Sequence, residues 1–236
     1  MEVNNIDSFV RQNLKILDEK VIKVMRSLNK KDDNLMILAV SKSKSLPYIQ
    51  AAYKYGLRNF GENYLQEALL KINSSPRDIR WHYIGNIQSR KIKLIAENFS
   101  WVHTVSSLTN IKKLNDYRAP NKDPLNICIQ ININNEKTKS GIQLSDHESI
   151  NKIIDQLQYF QNINLRGLMC IPKKENDYIK QRDNFHILKD LLVSLNLKYN
   201  LNLDTLSMGM SNDMEAAIQS GSSIIRIGQA IFGKRT

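Results

Sequence analysis

Cysteine is scarce in this chain of 236 residues, which contains only two. Cys128 and Cys170 each lie in an apolar, strand-like run, so we expect buried, unpaired and unreactive thiols in a reducing compartment, with no disulfide framework. No run of eighteen or more apolar residues is present, so the sequence predicts no membrane span. Residues 1–5 lack the basic region and apolar core of a signal peptide, and a cytoplasmic location is the default expectation.

Three kinds of binding motif are also missing. None of the short spacings typical of metal ligands joins the four histidines, so we expect no zinc site; these are His82, His103, His147 and His186. No Gly-x-Gly-x-x-Gly run follows a predicted strand, which weakens a dinucleotide site. The formal net charge of +11 suggests nucleic acid, but the basic residues are dispersed and form no arginine-rich tract or aromatic–basic signature. We expect no nucleic-acid partner and keep such binding only as a minor alternative.

Strand-like and helix-like patterns alternate along most of the chain. Apolar residues at three- and four-residue steps predict a helix over 1–30, ended by a polar run at 29–34. Short apolar runs predict strands at 35–41, 58–61, 81–85, 101–104, 125–133, 165–171, 204–207 and 223–227. Helical patterns separate them, at 46–55, 63–72, 89–97, 108–117, 145–160, 177–195 and 212–220.

Eight strands alternating with helices are typical of a parallel sheet. The length suits a closed (β/α)8 TIM-type barrel with an extra N-terminal helix, and no composition break or glycine/serine linker divides the chain. We therefore predict a single domain over 1–236, with the helix at 1–30 and the barrel at 35–233. An open doubly wound sheet is the main alternative. In such a barrel the chemistry lies at the carboxyl ends of the strands.

A lysine stands at the end of the first predicted strand. Leu38-Ala39-Val40-Ser41-Lys42 is an apolar run that ends on a long amine. An apolar floor disfavours the ammonium form, which leaves more neutral amine to attack a carbonyl. The alternative is that Lys42 simply ends a strand in a lysine-rich protein.

Glycines and a serine follow the last two predicted strands. Gly209 allows a tight turn, Ser211 offers a hydroxyl, and Asn212 and Glu215 have the spacing of a helix-capping pair. Gly228 follows the eighth strand and precedes a short helical turn, where free amides attract anions. Barrels frequently hold a phosphate between these two loops, although each glycine alone is more often a turn residue.

Arg226 lies between two isoleucines of the eighth predicted strand, so it faces the barrel interior if they pack against helices. A buried arginine needs an acceptor, and a ligand ring nitrogen or an acidic side chain would serve. A lysine that attacks carbonyls and a phosphate cradle together describe pyridoxal 5′-phosphate, an aldehyde with a phosphate arm.

Seven stretches, in order along nearly the whole chain, resemble one family. They are residues 39–42 (AVSK), 60–67 (FGENYLQE), 81–88 (WHYIGNIQ), 129–141 (IQIN…KSG), 166–169 (RGLM), 206–211 (LSMGMS) and 226–233 (RIG…FG). The chain resembles the YggS/PROSC group of pyridoxal phosphate homeostasis proteins, whose barrel is of fold type III and similar to the N-terminal domain of alanine racemase.

The resemblance assigns a role to each residue of the predicted site. It implies that Lys42, rather than Lys44, forms a Schiff base with pyridoxal 5′-phosphate. It implies that Arg226 faces the pyridine nitrogen, which suits carriage of the cofactor better than transamination. Ser211 and the amides of Gly228 and Gln229 would hold the phosphate. Four more positions match residues that line the pocket: Asn63, His82, Met169 and Met210.

Three positions depart from the family pattern. Gln229 stands where a threonine is usual, which puts a side-chain contact with phosphate in doubt. Arg90 replaces an asparagine, and Asn212 stands where aspartate is common.

The resemblance implies a monomeric, non-catalytic protein of pyridoxal phosphate homeostasis, which holds the cofactor and supplies it to apo-enzymes without turning over amino acids. One alternative is an amino-acid racemase, which would use Lys42 with a second base such as His82 or a residue of a partner subunit. The other is a basic nucleic-acid-binding protein without a cofactor.

Overall fold

Eight parallel strands close into a barrel in the computed structural model, which describes residues 3–29, 35–136 and 138–234. The pairings of β1 with β9 and of β4 with β5 close the ring. The barrel strands are β1 (Met36–Val40), β2 (Asn59–Glu62), β3 (Arg80–Tyr83), β4 (Trp101–Val105), β5 (Leu125–Asn132), β7 (Ile163–Cys170), β8 (Thr205–Ser207) and β9 (Ile224–Ile227). The predicted fold is confirmed.

One further strand was not predicted. The short β6 (Ile142–Gln143) pairs in parallel with the end of β5, where Ile131 lies opposite Ile142. Two residues are too few to show a periodic pattern, so the sequence carries no signal for this strand.

Helices alternate with the strands and cover the outside of the barrel. They are α1 (Val3–Ser27), α2 (Leu46–Lys54), α3 (Leu65–Asn73), α4 (Ile92–Asn98), α5 (Leu108–Tyr117), α6 (His147–Gln156), α7 (Tyr178–Tyr199), α8 (Met214–Gln219) and α9 (Gln229–Phe232). The extra N-terminal helix packs against α2, α8 and α9, and Asn13 Nδ2 donates to the Ile231 carbonyl at 2.9 Å. The predicted ends of this helix, at 1–2 and 30, lie outside the described residues.

Apolar side chains on both sides of the barrel strands produce two layers of core. On β5, Ile127 and Ile129 belong to the large cluster between sheet and helices, whereas Cys128 belongs to a small separate cluster. That inner cluster lies in the barrel interior and consists of Leu38, Trp101, Cys128, Met169 and Ile224. Burial on both faces explains why β1 is a continuous apolar run.

The capping pair predicted for the seventh loop was wrong. The helix α8 begins at Met214, with Asp213 as the residue before it, so Asn212 lies outside the helix. The Asp213 carboxylate instead accepts from the Met210 amide at 2.6 Å, which closes a turn ahead of the helix. This turn delays the start of the helix.

No helix in the described part of the chain is long and apolar enough to span a bilayer. Within residues 3–29, 35–136 and 138–234, no cluster of three or more histidine, cysteine, aspartate or glutamate side chains is arranged to hold a metal ion.

Candidate functional site

A cavity of about 580 Å³ opens at the carboxyl ends of β1, β8 and β9. It brings together eight of the nine residues predicted for the site: Lys42, Asn63, Met169, Met210, Ser211, Arg226, Gly228 and Gln229. Lys44 and Lys234 also line it. Among the described residues that line the cavity, four are cationic and none is a carboxylate. The site is therefore built for an anion.

The loop that carries Lys42 is held on both sides of that residue. Ser41 is fully buried, and its hydroxyl donates to Glu62 Oε1 at 2.6 Å. The Ser43 amide donates to Glu67 Oε1 at 2.7 Å, and the Lys44 amide donates to the Ser41 carbonyl at 3.0 Å. Ser43 adopts a positive φ of 61°, an uncommon conformation for a residue other than glycine. These bonds fix the backbone from which Lys42 projects.

A buried ion pair supports this loop from below. Lys71 Nζ donates to Glu62 Oε1 at 2.7 Å and to the Ser41 carbonyl at 2.7 Å. Glu62 is fully buried, and its Oε2 has no hydrogen-bond partner. Burial raises the pKa of Glu62, while the bonds from Lys71 and Ser41 oppose that rise. Sequence spacing does not reveal this pair, because Glu62 and Lys71 meet only when α3 packs on β2.

Lys44 is the other amine close to Lys42 in the chain. Its Nζ donates to the Lys234 carbonyl at 2.9 Å and lies 5.2 Å from the centre of the Tyr48 ring. Partial burial lowers the pKa of Lys44. Both lysines line the cavity, so the choice between them stays a prediction.

The loops after β8 and β9 meet at Ser211. The Ala230 amide donates to Ser211 Oγ at 3.3 Å, which joins the two loops, and the Arg226 amide donates to the Gly209 carbonyl at 2.9 Å. A Cβ added to Gly228 would lie 3.2 Å from the Val40 carbonyl oxygen, so the chain passes close to β1 there. The predicted phosphate residues therefore share one wall of the cavity with the end of the lysine strand.

Gly209 tolerates no larger residue. Its φ is +93°, and an added Cβ would lie 2.5 Å from the Ala217 Cβ. We expect Gly209→Ala to destabilise the protein by more than the roughly 1 kcal/mol that a positive φ alone costs an alanine, measured by urea unfolding. Gly56→Ala is the matched control, because Gly56 has a φ of +95° with no atom within 4 Å. Equal losses in the two variants would contradict the clash.

Arg226 faces the barrel interior, as its position between two isoleucines predicted, and it also lines the cavity. Its Nη1 donates to the carbonyl and, at 2.9 Å, to the hydroxyl of Ser207, and its Nη2 donates to the Cys170 carbonyl at 2.8 Å. The acceptors are therefore two carbonyls and a hydroxyl. Burial lowers the pKa of the Arg226 guanidinium.

His82 is the predicted pocket residue that does not line the cavity. It is completely buried inside the barrel, where its ring stacks on Trp101 with centroids 5.4 Å apart. Its Nδ1 lies 2.9 Å from His103 Nε2, and its Nε2 lies 3.2 Å from Asn59 Oδ1. The resemblance alone had assigned His82 to the pocket, and β3 (Arg80–Tyr83) places its side chain inside the barrel.

Two buried histidines make the stability of the protein depend on pH. Burial lowers the pKa of His82 to about 3 and that of His103 well below its usual value. As the pH falls through 6.5, the unfolded protein therefore binds more protons than the folded protein, which lowers the free energy of unfolding. The raised pKa values of Glu62 and Asp213 act in the opposite direction, but hydrogen bonds donated to both carboxylates oppose those rises.

We therefore expect the free energy of unfolding to fall between pH 7 and pH 5.5, by at most about 2.5 kcal/mol, measured by urea titration at the two pH values. A stability that is equal or higher at pH 5.5 would contradict the neutral state of the two rings.

Both cysteines are buried free thiols, as predicted. Burial raises the pKa of Cys128 and of Cys170 to about 12, so neither is a thiolate near neutral pH. Arg90, one of the departures from the family pattern, lies in an exposed turn after β3 and is not among the residues that line the cavity.

Comparison with known proteins places the chain in a family. Residues 13–236 match the family model of the alanine racemase N-terminal domain. The pyridoxal phosphate homeostasis protein of Haemophilus influenzae is 40% identical over 96% of this chain and 96% of its own. The protein of the same name from Escherichia coli K12 is 40% identical over 96% and 97%.

The chain belongs to the pyridoxal phosphate homeostasis protein family. A solved structure of the same fold supports this membership. PipY of Synechococcus elongatus, with pyridoxal phosphate bound, has a TM-score of 0.77 and 29% identity, covering 89% of this chain and 99% of PipY. PipY thus binds pyridoxal phosphate, and the cavity of this chain lies at the carboxyl ends of the strands, the end of such barrels where chemistry takes place.

Proposed function

We propose that this protein holds pyridoxal 5′-phosphate reversibly, bound covalently through the Lys42 amine, and supplies it to apo-enzymes without turning over amino acids. The observation that carries the proposal is the lining of the cavity, which combines lysine amines, a buried arginine and a hydroxyl–amide wall with no carboxylate among its described residues. When bound, pyridoxal phosphate supplies an aldehyde that reacts with a neutral amine, and a phosphate dianion.

The residues present fit that cofactor at each of its functional groups. Lys42 projects from a loop fixed by Glu62 and Glu67, so its amine enters the cavity from the β1 side. Ser211 and the amides of Gly228 and Gln229 line the cavity next to the end of β1, where Gly228 presents backbone with no side chain in the way. Backbone amides and the Arg226 guanidinium only donate, which matches an anionic phosphate and a ring nitrogen with a lone pair.

The lining also supports binding without amino-acid turnover. A racemase that acts from two faces needs an acid or base on each side of its substrate. Within the described part of the lining there is no histidine, tyrosine, aspartate or glutamate. His82, the base considered for a racemase, lies inside the barrel with both ring nitrogens engaged. We therefore infer a carrier. A racemase is the alternative, and it would require a second acid or base from a partner subunit.

The test loads the protein with pyridoxal phosphate and then adds a panel of L-amino acids and, separately, an apo-enzyme that depends on pyridoxal phosphate. We expect no change in the chirality of the amino acids. We expect the apo-enzyme to regain activity faster than cofactor that first dissociates into solution could restore it. Sustained racemisation that is lost in Lys42→Ala would overturn the carrier assignment. Failure to acquire any visible absorbance band would overturn cofactor binding itself.

A further inference from the structure

Five polar side chains from five different strands form a continuous hydrogen-bonded chain through the barrel interior. Asn59 Oδ1 lies 3.2 Å from His82 Nε2, and His82 Nδ1 lies 2.9 Å from His103 Nε2. His103 Nδ1 lies 2.7 Å from Ser207 Oγ, which in turn lies 2.9 Å from Arg226 Nη1. Both imidazole rings and Ser207 are fully buried. The chain runs from the start of β2 to the floor of the cavity.

The amide oxygen at one end and the guanidinium at the other set the direction of the bonds in this series. The Asn59 Oδ1 atom only accepts, so His82 Nε2 donates to it, and a neutral His82 accepts at Nδ1 from His103 Nε2. A neutral His103 that is protonated on Nε2 then accepts at Nδ1 from the Ser207 hydroxyl. Arginine only donates, so Ser207 Oγ accepts from Arg226 with a remaining lone pair.

The surroundings favour the neutral state that this arrangement needs. Burial lowers the pKa of both histidines, and the charge of Arg226 lowers that of His103 further. Asn59 ends the chain with an amide, which accepts a hydrogen bond but cannot pass on a proton. The chain is therefore a fixed line of aligned dipoles and not a path for protons.

We propose that this chain positions Arg226 for the ligand, and that His82 and His103 are held in the Nε2-protonated neutral form as positioning residues. The proposal rests on the proposed function in one respect, because the ligand that Arg226 meets is the pyridoxal phosphate ring. Its physical basis is that each bond polarises the next, so Ser207 Oγ becomes a stronger acceptor than an isolated hydroxyl. A stronger acceptor at Ser207 Oγ offsets part of the cost of burying the Arg226 guanidinium, which contacts no carboxylate among the described residues.

The first test needs no ligand. His147 and His186 lie outside the barrel, so the His147→Gln/His186→Gln variant leaves the two buried rings as the only imidazoles. Two-bond ¹H–¹⁵N correlation spectra of this variant at neutral pH are expected to show two neutral imidazoles, both protonated on Nε2. A charged ring, or a neutral ring protonated on Nδ1, would overturn the proposal whether or not pyridoxal phosphate binds.

The second test breaks the chain next to Arg226. We expect Ser207→Ala to weaken pyridoxal phosphate binding about tenfold, since it removes a hydrogen bond to a charged group, and to shift the visible band of the bound cofactor. The same variant is expected to release His103 from a single tautomer in the spectra above. Ser220→Ala is the matched control, because Ser220 is also fully buried but its hydroxyl donates only to the Arg182 carbonyl.

The two variants give distinct outcomes. A loss of affinity and a band shift in Ser207→Ala alone support positioning of Arg226 by the chain. Equal effects in Ser207→Ala and Ser220→Ala would reduce Ser207 to a packing residue and overturn the proposal. If the unmodified protein shows no cofactor band at all, the proposed function fails. The tautomers of His82 and His103 still decide whether the hydrogen-bonded series from Asn59 to Arg226 exists.

Discussion

Replacing Lys71 with methionine is expected to lower the free energy of unfolding by about 3–5 kcal/mol, the usual cost of removing one partner of a buried ion pair. Lys71 is the cation that pairs with the fully buried Glu62 carboxylate, and it also donates to the Ser41 carbonyl beside the site lysine. Without it, Glu62 keeps only the Ser41 hydroxyl as a donor. Urea unfolding at neutral pH measures the loss.

An exposed lysine of the same kind provides the control for this experiment. Lys54 pairs with Asp7 at 3.3 Å, but two thirds of its side chain is exposed, so Lys54→Met is expected to cost less than about 1 kcal/mol. Adding Glu62→Gln to Lys71→Met removes the unpaired carboxylate and is expected to restore part of the stability. Similar losses in the two single variants would show that the Glu62–Lys71 pair does not support the loop.

Replacing Lys42 with alanine is expected to abolish covalent binding of pyridoxal phosphate. The proposal makes the Lys42 amine the group that bonds to the cofactor, and the phosphate wall around Ser211 remains intact without it. The visible absorbance band and the borohydride-stable adduct are both expected to disappear, leaving only weak, reversible binding. Absorbance titration and intact-protein mass spectrometry measure these two losses.

Lys44→Ala is the matched control, since Lys44 lines the same cavity only two residues away. Its amine already donates to the Lys234 carbonyl and lies against the Tyr48 ring. We expect this variant to keep the band and the adduct. The reverse result, with the adduct lost in Lys44→Ala and retained in Lys42→Ala, would move the reactive amine to Lys44.

Much of the fold was predictable because barrel strands are buried on both faces. Runs such as β1 are apolar throughout, and the regular alternation of such runs with helices indicates a parallel sheet. The small strand β6 and the late start of α8 were not predictable, because both depend on local hydrogen bonds that leave no periodic pattern. The turn that Asp213 closes with the Met210 amide is the clearest example.

Some residues of the site could be predicted from the sequence, whereas contacts that depend on packing could not. Lys42, Ser211 and Gly228 lie within four residues of a strand end, so the rule that chemistry lies at the strand ends was enough to select them. His82 was assigned by resemblance alone, and its contacts with Trp101 and His103 inside the barrel depend on packing that sequence spacing does not reveal. The partnership of Glu62 with Lys71 depends on the packing of a helix on the barrel, which sequence spacing does not reveal.

We propose that the amine of Lys42 and the hydroxyl–amide wall at Ser211 and Gly228 hold one molecule of pyridoxal phosphate between them. Reduction of the loaded protein with borohydride, followed by digestion and mass spectrometry, locates the modified lysine. We expect a single adduct per chain, on Lys42. An adduct on Lys44 or on a lysine outside the cavity, or adducts scattered over many lysines, would contradict this proposal.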